Sequence, residues 1–191
     1  MDPMARPREF DSDQALDEAI AVFGAHGFEG TSAQMLVEAM GIGRQSLYGA
    51  FGDKWQLYRA AVRRYGQGEI ASHLDALRSG AKAIDGIEAM LRRVVATADQ
   101  PCLGVGSICE FGRSRPDLTE IRTALGKPLA DALAGRVAEA QQDGDIAATL
   151  DPGQVAGFLV GCIAGVGIAG RAGADRAALD AQADLALRAL R

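Results

Sequence analysis

Gly41-Ile42-Gly43 separates two short amphipathic segments, Thr31 to Met40 and Arg44 to Phe51. So brief a break, bounded by glycine on both sides, permits only a tight turn between two helices. In the first segment Leu36, Ala39 and Met40 share one stripe, the core-facing side. Thr31 and Gln34 stand at capping-box spacing, so Thr31 is the expected N-cap, and Gly41 is free to take the left-handed conformation that ends the helix. In the second segment Leu47 and Phe51 lie four apart and dock inward together. That leaves Arg44, Gln45, Ser46, Tyr48 and Gly49 on or near the outside. Such a pair is a helix-turn-helix.

The outer face carries groups suited to double-stranded DNA. Arg44 can fork onto guanine or phosphate and Gln45 can bond adenine bidentately, while Ser46 and the Tyr48 hydroxyl have the size and polarity to reach phosphate oxygens. Gly52-Asp53 ends the second helix and starts a third, with Asp53 and Gln56 again at capping-box spacing. Lys54 then adds its charge to a helix N-terminus, an arrangement that favours phosphate. The net charge of -5 has the wrong sign for a nucleic-acid binder until it is divided along the chain. From Gly41 to Tyr65 the charges are Arg44, Lys54, Arg59, Arg63 and Arg64 against Asp53, a net +4, which leaves -9 elsewhere. A basic face on an acidic body favours one docking mode, although without the motif the same cluster would read as solvated surface.

The remaining periodicity is helical throughout, with no run of alternating β-branched residues. Leu16, Ala19, Ile20 and Phe23 predict a first helix from about Ser12 to His26, completing a three-helix head. Breaks at Ser79-Gly80, Asp99 to Pro101, Gly112 to Pro116, Asp143-Gly144 and Ala172-Gly173 predict helices at about 53–78, 84–98, 102–112, 117–143, 152–171 and 175–190. Pro128, inside the longest, predicts a kink or a split there. The expected fold is all-α, about nine helices, with a helix-turn-helix head over residues 1–58 and a helical bundle over residues 59–191.

Gly27-Phe28, Gly30-Thr31-Ser32, Gly41-Ile42-Gly43, Leu47-Tyr48, Phe51 and Lys54 together resemble the DNA-binding domain of the TetR/AcrR family of transcriptional regulators, over about residues 12 to 60. The resemblance implies phosphate contacts by Thr31, Tyr48 and Lys54, with Ser32 beside them and Arg44, Gln45 and Ser46 toward the groove. It further implies a homodimer on operator DNA, most simply a repressor, with helices four to seven around a cavity for a small-molecule effector and the last two pairing with a second subunit. Two departures stand out. Gly43 occupies a position where the family usually has a serine or threonine cap, and Gly49-Ala50 replace bulkier residues, so base reading falls to Gln45, Arg44 and DNA shape.

Gly153 to Gly170 contains no charge and repeats glycine at 153, 157, 161 and 165. Spacing of four aligns these on one helical face, open to close approach by another helix. A membrane span, a helix buried within one subunit and a dimer-forming helix all accommodate the run. A span usually carries basic or aromatic anchors, whereas this run is short, glycine-loaded and isolated, so the expectation is an interface formed by Gly157, Gly161, Gly165 and Phe158, since dimers set two recognition helices about 34 Å apart.

Cys102 follows Pro101 at a predicted helix start, where the positive end of the dipole favours a thiolate. Pro101-Cys102-Leu103 resembles the setting of a sensing cysteine found in some family members, and a small buried apolar role suits the residue equally. Cys109, seven residues on and about 10 Å away along the helix, is too far to pair with it. Met90, Phe111 and Phe158 suit core packing as well as a ligand wall, and His73 could hydrogen-bond a ligand or simply face solvent. Cys102, Cys109 and Cys162 form no C-x-x-C, and two histidines offer little metal or acid-base stock, so no cofactor and no enzyme activity are expected. Met1 to Arg8 shows no signal-peptide pattern, which predicts a cytoplasmic protein. The competing reading is a helical protein-interaction adaptor without DNA binding, which leaves Tyr48, Lys54 and the local +4 unexplained.

Overall fold

The computed structural model describes residues 10–191; the stretch Met1 to Arg8 lies outside them. Among the described residues there are nine helices and no strand: α1 Ser12–His26, α2 Ala33–Met40, α3 Arg44–Phe51, α4 Lys54–Arg78, α5 Ala83–Ala96, α6 Leu103–Phe111, α7 Pro116–Gln142, α8 Pro152–Arg171 and α9 Arg176–Arg188. Aspartates open several of them. Asp11, Asp53, Asp151 and Asp175 each accept a backbone N–H of the following first turn at 2.8 to 2.9 Å, satisfying donors that the helix itself leaves orphaned. Pro116 and Pro152 stand at first helical positions, where a missing N–H costs nothing. Gly41 ends α2 at φ 64°, ψ 24°, a left-handed conformation that disfavours a side chain.

Three expectations are corrected. Ser32, not Thr31, caps α2: the Ser32 hydroxyl oxygen accepts from Met35 N at 3.2 Å, and Gln34 turns outward to Glu38 at 2.7 Å. Thr31 is instead 1% exposed and donates to the Gly27 carbonyl at 2.6 Å, bracing the α1–α2 turn. Of the kink or split expected at Pro128, the split is absent, since α7 runs unbroken past it. The carbonyl that loses its partner belongs to Ala124, and both residues are exposed, so water can supply the missing bond. Ala39, placed in the core stripe, is exposed.

Two hydrophobic clusters hold the chain together. One joins Ala19 and Phe23 of α1, Leu36 and Met40 of α2, Leu47 of α3 and Leu57, Tyr58, Ala61 and Val62 of α4. It also takes in Leu103 of α6 and Leu118 and Ile121 of α7, so the head's core continues into the body. The second lies among the C-terminal half of α4, α5, the later turns of α7, α8 and α9, around Ile87, Met90, Leu91, Leu133, Val137 and Leu159. Burying each such side chain contributes about 1.5–3 kcal/mol. Close approach of α5 to α4 depends on Gly86, where a Cβ would fall 2.1 Å from the Leu77 carbonyl oxygen.

Where the head meets α6 and α7, within the first cluster, the packing is aromatic and polar together. Phe23, Phe28, Trp55, Tyr58 and Phe111 meet edge to face or stacked, with centroids as close as 5.0 Å for Phe23 and Tyr58. Trp55 Nε1 donates to Asp117 at 2.9 Å, and the Arg115 guanidinium lies 4.3 Å from the Trp55 ring centroid. At the end of α6 the Glu110 carboxylate accepts from Phe28 N at 2.9 Å and Glu29 N at 2.8 Å, tying a body helix to the α1–α2 turn.

Candidate functional site

α3 presents its outer face as the sequence spacing dictates. Leu47 is fully buried and Phe51 half-buried, while Arg44, Gln45, Ser46 and Gly49 are exposed and Tyr48 is half-buried. Gly43 caps the helix without any side-chain hydrogen bond, and the first intrahelical bond is Leu47 N to Gly43 O. The amides of Arg44, Gln45 and Ser46 therefore point out of the helix N-terminus as three donors suited to phosphate oxygens. The departure at Gly43 thus removes an internal cap and leaves those donors to an outside acceptor.

The other head residues divide differently from expectation. Thr31 cannot reach phosphate from its buried position, and its hydroxyl is spent on Gly27. Exposed Ser32 uses its oxygen as an acceptor and keeps its O–H for an outside acceptor. Lys54 donates to the Thr31 carbonyl at 2.6 Å and lies 4.3 Å from the Phe28 ring centroid. It is first a brace between α4 and the α2 entry, with two N–H groups remaining. The local +4 is also reduced by folding: Arg59 pairs with Asp117 at 3.3 Å, and Arg64 with Asp17 at 2.6 Å and Asp13 at 3.5 Å. Hydrogen bonding from Arg64 pulls the Asp17 carboxyl below its ordinary range. These acids come from α1 and α7, too distant in sequence for the charge count to include.

α8 turns an apolar face outward. A Cβ built at Gly157, Gly161 or Gly165 would meet nothing within 4 Å, and beside them Phe158 is 46% and Ile168 50% exposed, with Leu185 of α9 at 60%. Phe158 is therefore neither core nor cavity wall. By length and composition α8 is also apolar enough to cross a membrane.

Inside the body, α4, α5, α6, α7 and α8 line a cavity of about 310 Å³. Of the proposed sensing residues, Cys102 and His73 line it, and Met90 and Phe111 do not. Met90 is sealed in the body cluster, and Phe111 belongs to the aromatic junction. His73, expected at the surface if idle, is 6% exposed. Burial and the neighbouring Arg93 cation hold its pKa below the ordinary value, so the ring is neutral. Cys102 is the N-cap of α6, its sulfur accepting from Val105 N at 3.4 Å. Sequence reasoning missed Tyr65, Glu69, Arg93 and Glu110. Tyr65, Glu69 and His73 recur every four residues along α4, a visible signal, but nothing in the sequence indicated that Arg93 of α5 would meet them.

Residues 15–61 match the family model for bacterial regulatory proteins, tetR family. The chain is 32% identical over 148 residues to the uncharacterized HTH-type transcriptional regulator YezE of Bacillus subtilis, covering 75% of this chain and 76% of that protein. It is 32% identical over 176 residues to the HTH-type transcriptional repressor ComR of Escherichia coli, covering 89% and 84% respectively. Among solved structures it superposes on a cysteine mutant of the TetR family transcriptional regulator CifR, complexed with 26bp double-strand operator DNA, with a TM-score of 0.84 and 32% identity over 97% of this chain and all of that one. With relatives this similar over three quarters or more of its length, and its helix-turn-helix inside the family model, the chain belongs to the tetR family of transcriptional regulators.

Proposed function

We propose that the chain is a cytoplasmic repressor that grips operator DNA as a homodimer, through a head of residues 1–58, and lets go when a small molecule or modification of Cys102 alters the body of residues 59–191. The observation that carries this reading is the exposed row Arg44, Gln45 and Ser46 above three free amides at the uncapped start of α3. That surface can hold a phosphate at the helix terminus while two long side chains reach base edges. The operator complex of CifR supports transferring DNA binding to this chain, and the repressor name of ComR supports the direction of control. The open glycine face of α8 with Phe158, Ile168 and Leu185 supplies an apolar surface of the kind that dimers cover.

α6 connects the two halves physically. Its first turn, at Cys102, forms cavity wall, and its last turn holds the head through Glu110 and Phe111. A ligand that displaces the start of α6 thereby moves the α1–α2 turn and with it the spacing of two heads.

The test is retardation of the DNA upstream of the gene by purified protein across a salt series. Binding that weakens steeply with salt, and weakens further in Arg44→Ala and Tyr48→Phe, is expected; salt-insensitive or absent binding refutes the reading. Release by N-ethylmaleimide that survives Cys102→Ser rules out the thiol route.

A further inference from the structure

One donor on the cavity wall belongs to a buried side chain and has no hydrogen-bond partner. α4 carries Tyr65, Glu69 and His73 along the side that faces the cavity. From α5, Arg93 donates to both oxygens of the Glu69 carboxylate at 3.2 and 3.0 Å, and its Nη1 lies 3.4 Å from His73 Nδ1. Arginine only donates, so Nδ1 must accept, and in the neutral ring the proton sits on Nε2. The facing carboxylate oxygen, Glu69 Oε2, is 3.9 Å from Nε2, beyond hydrogen-bond length. A donor on a side chain only 6% exposed is thus left against the cavity.

The wall's charges are already matched. Glu69 and Arg93 neutralise one another. Arg122, the cation on the lining itself, donates to the Ser107 carbonyl at 2.8 Å, to the Gly112 carbonyl and to Thr119 Oγ1 at 3.1 Å. A carboxylate entering the cavity would find both guanidiniums engaged, and an ammonium would find Glu69 already compensated. Either ion would lose its hydration without a free counter-charge. Apolar Val94, Val105, Leu129 and Ile163 make up much of the remaining surface.

We propose that this cavity takes a neutral, mainly apolar small molecule bearing one acceptor oxygen, such as a carbonyl or ether, which receives the His73 Nε2–H. A volume of about 310 Å³ falls at the lower end of the roughly 300–1,000 Å³ typical of small-molecule sites. This deepens the reading of the body as an effector site and depends on it only for the consequence on DNA.

Titration calorimetry of the full chain without DNA, at neutral pH, with 2-octanone, octanoate and octylamine tests the assignment. 2-Octanone is expected to bind saturably, with both ions at least about tenfold weaker. His73→Leu should weaken the ketone about fivefold or more, and His73→Gln, which restores an N–H donor, should return it to within about twofold. Octanoate binding as tightly as the ketone, no saturable ketone binding, or an unchanged affinity in a folded His73→Leu overturns the proposal. The probe series on the unaltered chain decides the matter even if the leucine variant does not fold. DNA retardation by the same preparation stands apart: if it persists while the ketone fails, only the ligand assignment falls.

Discussion

Glu110 is the place where the tie between body and head can be cut with one substitution. Its carboxylate accepts the Phe28 and Glu29 amides at 2.9 and 2.8 Å across more than eighty residues of sequence. Hydrogen bonds to an ionised acceptor contribute about 1.5–3 kcal/mol each where water is excluded. Glu110 is exposed, so water can rebind both amides in Glu110→Ala, and the expected cost falls to about 1–2 kcal/mol in total. In a chain of this size about 1 kcal/mol moves Tm by about 2–4 °C, so the melting point should drop by about 2–8 °C at fixed protein concentration. Glu110→Gln separates the geometry from mere loss of charge. A carboxamide presents one oxygen and one NH2, so one of the two backbone donors would face another donor. It should therefore destabilise at least as much as alanine, although it is nearly isosteric. Differential scanning calorimetry checks both variants. A melting point unchanged within about 1 °C in both would show that the clamp carries no energy. The proposed role of α6 as the connection between cavity and head would then lose its support.

Other outcomes follow from single positions. Gly86→Ala places a Cβ 2.1 Å from the Leu77 carbonyl oxygen, which only a shift of α5 away from α4 can relieve, so urea unfolding should show a loss of about 1–3 kcal/mol. A Cβ at Gly161 would meet no atom within 4 Å, so Gly161→Leu should leave the fold intact while lowering dimer content by light scattering. An unaltered dimer would place the interface elsewhere. Burial and the Arg93 cation hold the folded pKa of His73 below its ordinary value, so the unfolded chain binds the extra proton first as the solution is acidified. The stability that neutral His73 allows is present above about pH 6.5 and lost as pH falls through the folded value; His73→Gln should lose less between pH 7.5 and 5 in chemical denaturation.

What the sequence revealed and what it concealed differ by the range of the interactions involved. Helix positions were legible because caps and breakers act within a turn: Asp53 and Gly41 do locally what their types dictate. The outward row of α3 was legible for the same reason, since Leu47 and Phe51 fix the inward side. Thr31 and Ser32 show the limit. Both hydroxyls can cap, and the choice turned on whether Thr31 could be buried against the Gly27 carbonyl, a matter of how α1 packs. At Pro128 the helix does not break, because Ala124 and Pro128 are both exposed and water can bond the carbonyl that proline leaves unpaired. Nothing local marked Glu110 or Arg93, whose partners lie 82 and 24 residues away.

Folding changes what the local charge near the helix-turn-helix means for DNA affinity. Five cations lie between Gly41 and Tyr65. Arg59 and Arg64 meet aspartates from α7 and α1, and Lys54 gives one N–H to a backbone carbonyl. Arg44 and Arg63 stay exposed without an ion pair among the described residues. A head therefore offers two or three cations to phosphate, and a pair of heads about four to six. Each neutralised phosphate contributes about -0.9 to the slope of log K against log salt, so the slope should lie near -4 to -5. Ten engaged cations would instead give about -9. Fluorescence anisotropy on a labelled operator between 50 and 300 mM salt separates the two. A slope near -9 would mean that Arg59 and Arg64 leave their aspartates on DNA, and the bound head would then differ from the free one. A slope near -4 would leave the remaining affinity to the α3 amides and to Gln45, neither of which releases a counterion.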